Sequence, residues 1–336
     1  MLESAADHTS GVRLELDTAA TCLELRFHFT RTWFWFVPFP PQPAVVAVVA
    51  DNTERVFSYD EGDILRVDEA GSEYRERGEP SSLIAHLGGD GSVRRVVVWL
   101  PHNAAVELLD IRADAAVEPG PRSGPRWVHY GSSISHCLEA ETPLGVWPTI
   151  VARATDLDLH NLGLAGNALL DGFAARTIRD LEADLITVKV GINVVNFGGF
   201  RRRTFFSAVH GFLDTIREGH PDTPIVVIAP IFCPVHEDAP GPTEWAETGQ
   251  MLPTSVARQP QDGQLTLTDI RSLLSSIVRD RFEDDPHLHY LDGRELFGEA
   301  DAHHLPDGLH PDPDGYALMG ARMTELIWRW LPTHPA

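Results

Sequence analysis

Four short segments of the 336-residue chain hold residue types that fit together as parts of one reaction. Ser133 stands in Gly131-Ser132-Ser133-Ile134, and Gly166 lies in Gly163-Leu164-Ala165-Gly166-Asn167. Asn193 ends Gly191-Ile192-Asn193, and Asp307 precedes His310 by three positions in Asp307-Gly308-Leu309-His310-Pro311. Taken singly, each has a plain structural reading: a helix cap for Ser133, a strand-to-helix loop around Gly166, a capping or turn residue at Asn193. Taken together they meet the needs of acyl transfer. A hydroxyl that attacks an ester carbonyl is protonated at neutral pH and needs a base, which His310 supplies. On a tight turn the Asp307 carboxylate fixes the imidazole tautomer and stabilises the imidazolium that forms. The tetrahedral intermediate carries an oxyanion. The backbone N–H groups of Ser133 and Gly166 and the side-chain amide of Asn193 can donate to it, and each such donor accounts for roughly 10²–10³ in turnover.

Competing chemistries lack their parts. The Gly-x-Ser-x-Gly elbow, the Walker A sequence and His-Glu-x-x-His are all absent, and no Gly-x-Gly-x-x-Gly follows a strand. His136 lies three positions past Ser133 but has no paired Asp, and Cys137 has no neighbour placed to lower its pKa. The pairs His287/His289 and His303/His304 have no nearby Cys or ligand-spaced carboxylate, so they read as solvated loop residues. No metal and no organic cofactor is expected.

The elements that must position these residues fall into two kinds. From residue 127 onward, apolar strand-like runs (Trp127–Tyr130, Leu157–Leu162, Leu185–Val190, Ile225–Ile228, Leu288–Leu291) alternate with stretches of helical spacing. The latter include Val146-Trp147-Ile150-Val151-Ala154, Phe205-Val209-Phe212-Leu213-Ile216, Leu273-Leu274-Ile277-Val278 and Met319-Met323-Leu326-Ile327-Trp330. The pattern predicts a doubly wound parallel five-stranded sheet. In such a sheet, ligands sit beyond the carboxyl ends of the strands, where the Ser133, Gly166 and Asn193 segments fall. The first 120 residues differ: strand signals recur at Val12–Leu16, Leu23–Phe29, Ala44–Val49, Ile64–Val67, Val93–Leu100 and Val106–Ile111, with turn residues between them. They predict an antiparallel all-β sandwich of jelly-roll type. Its aromatics Trp33 to Phe36 read as core or interface residues, with a ligand-facing role as the alternative. The Pro- and Gly-rich stretch ending at Arg126 reads as a linker. The expected division is 1–120 as a β-sandwich, 121–126 as linker and 127–336 as the catalytic domain. The connection from Ile231 to Leu265 is long and rich in Pro and Gly, so it is expected to overhang the strand ends, with Trp245, Met251 and Leu252 touching substrate.

Composition narrows the partners. Asp and Glu number 49 against 27 Lys and Arg, a formal net charge of −22, which disfavours nucleic acid and anionic membrane surfaces. Lys189 is the only lysine. Cys22, Cys137 and Cys233 are too few and too scattered for a disulfide framework. The first residues are acidic where a signal peptide is basic, and no apolar run spans a bilayer, so a cytoplasmic location is expected.

From about residue 126 to 331 the sequence resembles the SGNH (GDSL-like) hydrolase superfamily. Its blocks fall in order on Gly131-Ser132-Ser133-Ile134, Gly163 to Asn167, Gly191-Ile192-Asn193 and Asp307 to Pro311. Ser132 stands where many members have Asp. The Gly-Ser-Ser-Ile form is similar to branches with an extra N-terminal β-domain, among them carbohydrate acetyl esterases and an acyltransferase that decorates an aromatic polyketide. The resemblance implies a flavodoxin-like SGNH hydrolase fold, Ser133 as nucleophile and an oxyanion glycine at Gly166. The function expected is a serine esterase acting on a small-molecule ester, with a glycan or natural product as the alcohol portion. The alternatives are an acyltransferase that passes the acyl group to a hydroxyl, or a carbohydrate-binding protein with a vestigial catalytic half.

Overall fold

The computed structural model of the protein describes residues 2–35, 37, 40–122, 124–246, 250–253 and 263–331, with the backbone alone for Trp245. The chain forms two compact units, Met1–Ser123 with Ala140–Val146, and Gly124–Glu139 with Trp147–Ala336. The second unit is not one continuous stretch of chain, since 140–146 groups with the first, a grouping of which the sequence shows no sign.

The first unit begins with a short helix, α1 (Leu2–Asp7), followed by strands β1 (Arg13–Thr18), β2 (Cys22–Phe34), β3 (Ala44–Ala50), β4 (Thr53–Tyr59) and β5 (Asp63–Val67). β6 (Glu73–Glu76), β7 (Ser81–His86), β8 (Arg94–Trp99), β9 (Ala105–Ala113) and β10 (Val117–Pro119) complete it. One sheet runs β10-β1-β8-β3-β4; the other runs β6-β5-β2-β7, with β9 also on β2. Alternation decides which faces meet: Leu23, Leu25, Phe27 and Phe29 of β2 point into one core with Val46, Val48, Leu83, Val96 and Val98. The sandwich departs from the expected antiparallel plan at one pairing. β7 covers β2 only from Cys22 to Phe27, and β5 pairs in parallel with the remaining Thr30–Phe34. Val117–Pro119, just before the Pro- and Gly-rich stretch, forms an edge strand on β1. Among the aromatics at 33–36, Trp33 lies under the Arg66 guanidinium at 4.4 Å and Trp35 is exposed; Phe36 lies outside the described residues.

In the second unit β11 (Arg126–Gly131) leads through α2 (Ser133–His136) and α3 (Trp147–Thr155) to β12 (Asp158–Gly163). Then follow α4 (Gly172–Asp180), β13 (Leu185–Lys189), α5 (Ile192–Asn196), α6 (Arg202–Arg217) and β14 (Ile225–Ile228). A two-stranded hairpin, β15 (Thr243–Trp245) and β16 (Met251–Pro253), precedes α7 (Leu267–Arg281), β17 (Leu288–Leu291) and α8 (Pro313–Leu326). The five-stranded sheet has the order β12-β11-β13-β14-β17, every pair parallel. The central strands β13 and β14 are buried on both faces because helices cover both: α3 packs with α8, and α4 with α6. The strand order reverses at β11, between β12 and β13, so the crevice opens where β11 and β13 end. Ser133 and Asn193 follow those two ends. Among the described residues no helix is long and apolar enough to cross a membrane.

Candidate active site

The turn after β11 is built from close approaches that only small residues permit. A Cβ on Gly131 would lie 2.1 Å from Ser135 Oγ, and one on Gly163 would lie 2.6 Å from the backbone N of His136. Helix α2 can therefore rest against the ends of β11 and β12. Ser132, not Ser133, is the N-cap, in extended conformation, and one turn later Cys137 in the left-handed region ends the helix with its N–H on Ser133 O. The helix-cap reading of Ser133 is thus excluded by its own position inside the turn. Beneath it runs a buried polar chain. Trp127 Nε1 donates to Thr187 Oγ1 at 2.8 Å, which lies 2.6 Å from His129 Nδ1, and His129 Nε2 lies 2.8 Å from Ser135 Oγ. Burial, with the nearby Lys189 charge, pushes the His129 imidazole down to about 3, so the ring is neutral.

The candidate base arrives from the far end of the chain. Asp307 Oδ1 accepts from the backbone N–H groups of Leu309 and His310 at 2.8 and 2.7 Å, a tight turn that passes through Gly308 at φ +87°. Its other oxygen, Oδ2, accepts from His310 Nδ1 at 2.7 Å, and His310 Nε2 lies 2.9 Å from Ser133 Oγ. Hydroxyl, imidazole and carboxylate thus form one hydrogen-bonded series between residues 177 positions apart. Burial works to raise the Asp307 carboxyl but is outweighed by its bonds from His310 and Leu309, which hold it below the usual range. Burial likewise works to lower His310. The Glu139 carboxylate and then Asp307 outweigh it and hold the imidazole above its ordinary value.

The other two segments are tied to this turn. Leu164 N–H donates to Gly131 O at 2.8 Å, and a turn from Leu164 to Asn167 carries Gly166 at φ +71°. Buried Asn193 lies in the first turn of α5, whose N-cap Gly191 has φ +137° and a position where a Cβ would meet Pro230 and Ile270 within 3 Å. Asn193 Oδ1 accepts from Ala168 N–H at 3.0 Å, which leaves Nδ2 as the donating end of that amide. The hairpin lies against the base turn: Met251 N–H donates to Asp307 O at 2.8 Å and Gln250 Nε2 to Pro306 O at 2.7 Å. Met251 is thereby brought to the site through its backbone, Leu252 is half-exposed, and the side chain of Trp245 lies outside the described residues. His136 is buried within α2, and the nitrogen beside the Ser133 hydroxyl is that of His310. His304 is engaged by Asp312, with Nδ1 3.0 Å from Oδ1.

Two residues at the site were not singled out in the sequence. His129 sits in the interior of β11, where its neighbours are apolar, and only the strand pairing brings Thr187 to it. Glu139 lies just beyond α2, with Oε1 3.8 Å from His310 Nδ1 and Oε2 accepting from Tyr316 OH at 2.7 Å.

The family model described as "GDSL-like Lipase/Acylhydrolase family" matches residues 129–318, more than half of the chain. Among solved structures, a salicylyl-acyltransferase from a tetracycline biosynthetic pathway is 28% identical with a TM-score of 0.77, covering 97% of this chain and 85% of that one. A family two carbohydrate esterase from Clostridium thermocellum is 15% identical with a TM-score of 0.62, covering 96% and 94%. The corresponding enzyme from Cellvibrio japonicus is 12% identical with a TM-score of 0.59, covering 96% and 89%. These carbohydrate esterases share the fold with this chain. No curated protein matches the sequence.

Proposed function

Because the chain belongs to the GDSL-like lipase/acylhydrolase family, we propose that it is a serine esterase that takes the acyl group of a carboxylic ester onto Ser133 and releases it to water. The observation that carries this reading is the unbroken series from Ser133 Oγ through His310 to Asp307. Ser133 Oγ attacks the carbonyl carbon as its proton passes to His310 Nε2, and the Asp307 carboxylate stabilises the imidazolium. The carbonyl oxygen becomes an oxyanion held by the N–H groups of Ser133 and Gly166 and by Asn193 Nδ2. Collapse expels the alcohol, which leaves with the proton from Nε2, and an acyl-serine remains. Water then attacks, its proton passing to Nε2, and a second collapse frees the acid and restores the hydroxyl.

A second reading differs only in the last acceptor: a hydroxyl of a sugar or natural product replaces water. Similarity at 28% identity over 97% of the chain to a salicylyl-acyltransferase supports it. The choice depends on how well the site excludes water while holding an acceptor. Both readings are tested with a chain-length series of aryl esters, from acetyl to bulky aryl acyl groups, with and without candidate hydroxyl acceptors. Ser133→Ala and His310→Ala serve as controls. Hydrolysis of acetyl esters that is lost in both variants supports the esterase. Partitioning of a bulky acyl group to the acceptor supports the transferase. Equal rates in wild type and Ser133→Ala overturn both, and no turnover in any form leaves binding without catalysis.

A further inference from the structure

We propose that Glu139 is a positioning residue that acts on His310 from behind the ring, its carboxylate held in place by Tyr316. The proposal rests on the reading of His310 as the base. The two ring nitrogens divide the surroundings: Nε2 faces Ser133 Oγ, while Nδ1 faces two carboxylates, Asp307 Oδ2 at 2.7 Å and Glu139 Oε1 at 3.8 Å. Asp307 occupies the hydrogen-bonding position on Nδ1. Glu139 therefore acts through charge, and a charge behind the ring favours the imidazolium formed at each proton transfer.

Glu139 is fixed by the same elements that fix the nucleophile and the base. It follows α2 by three residues, so the turn that presents Ser133 also carries Glu139. Its partner Tyr316 lies in the first turn of α8, whose N-cap Asp312, two residues past His310, accepts from Gly315 N–H at 2.8 Å. Tyr316 is fully buried, and burial together with Glu139 holds its phenol well above its ordinary range, so the hydroxyl donates throughout the working pH range. Among the described residues, the ionisable groups that act on the ring are Glu139 and Asp307. Behind them lie Tyr316, Cys137 and Cys233, and burial pushes the Cys233 thiol up to about 12 and the Cys137 thiol well up, leaving both neutral. Glu139 is thus the second negative charge on the imidazole, and at 35% side-chain exposure it is partly screened.

A purely structural Glu139 would tether α2 to α8 without altering the titration of His310. The test reads that titration twice: by NMR of ring-labelled histidine, with His310 assigned by its loss in His310→Ala, and by the acid limb of kcat/KM on p-nitrophenyl acetate. Glu139→Gln, which keeps the shape and can still accept from Tyr316, is expected to lower the His310 pKa by about half a unit to one unit and to move the acid limb equally. Tyr316→Phe is expected to shift both in the same direction by less. Unchanged titration in Glu139→Gln with a lowered Tm overturns the proposal and leaves a tether. The NMR arm needs no turnover and can be run in the Ser133→Ala background. If Ser133→Ala hydrolyses ester like wild type, the esterase reading fails while the titration still decides the role of Glu139.

Discussion

At the residue scale, the geometry predicts how activity depends on pH. On the proposed mechanism His310 must be neutral to take the Ser133 proton, so kcat/KM is expected to rise with pH through the His310 pKa. Two carboxylates hold that pKa above the ordinary 6.5. The acid limb of the pH profile is therefore expected above 6.5, and a limb at or below that value would show that the carboxylates do not act on the ring. Loss of Asp307 should be more damaging than loss of Glu139. Asp307 accepts the two backbone N–H groups through Oδ1 and the Nδ1 proton through Oδ2, so Asp307→Asn can keep the turn through its amide oxygen but imposes the wrong tautomer on His310. A drop in kcat of roughly 10³–10⁴ is expected with Tm little changed, read by single-turnover kinetics and thermal melts. Ser133, Asn193, Asp307 and His310 were legible in the sequence because each sits in a short segment with its own chemical logic. Glu139 was not legible: it belongs to no periodic pattern, and its partner Tyr316 is 177 residues away. A carboxylate six positions past a nucleophile carries meaning only once α8 is folded beside it.

At the scale of elements, two glycines and one histidine hold the turn that carries Ser133 in place. In Gly163→Ala the new Cβ must displace the backbone of α2, since it would otherwise lie 2.6 Å from His136 N. Overpacking of this kind costs about 1–3 kcal/mol, and the shift would carry Ser133 away from His310. A lower Tm and a fall in kcat of about 10²-fold are expected together, and a normal kcat in a well-folded variant would show that the turn tolerates the shift. His129 gives a separate signature in stability. It stays neutral when folded down to about pH 3, whereas an unfolded histidine takes up a proton near 6.5. Protonation thus favours the unfolded chain as pH falls from 6.5 towards 3. Wild type should lose about 2 kcal/mol between pH 6.5 and 5 that His129→Asn does not lose, measured by urea unfolding at both pH values. The same scale shows how far patterning could reach. The central strands β13 and β14 were legible because they are short apolar runs buried along their whole length, and the edge strands β12 and β17 because leucines recur in them. Helix α4 was not, since it buries only Ala174, Ala175 and Ile178 and so shows almost no apolar stripe. β4 escaped notice as an edge strand exposed along much of its length, and the β15–β16 hairpin because the backbone of Asp307, far along the chain, is part of what holds it.

At the scale of the whole molecule, an excess of acid sits beside a near absence of lysine. Arginine supplies every other side-chain cation that needs no proton uptake near neutral pH, and the single lysine, Lys189, is buried at the end of β13. An ammonium there is costly, and burial lowers its pKa to about 8. Two consequences can be measured on the intact chain. Reductive methylation of the folded protein at pH 7 should modify the α-amine and spare Lys189, with dimethylation of Lys189 appearing only as denaturant opens the second unit; mass spectrometry of the digested protein separates the two sites. Rapid methylation of Lys189 without denaturant would mean that the β13 end opens locally, next to Asn193. Replacement by an apolar chain of similar length, Lys189→Met, should also remove a pH-dependent penalty. The unfolded lysine keeps its proton up to about 10.5 while the folded one loses it near 8, so below pH 8 the folded state bears the cost of a buried charge. Lys189→Met is therefore expected to raise stability at pH 7 by about 1–3 kcal/mol, with a gain that shrinks as pH rises from 8 towards 10.5. Denaturant unfolding at pH 7 and pH 9.5 measures both values, and an equal or larger gain at the higher pH would show that the amine is uncharged, or compensated, in the folded protein.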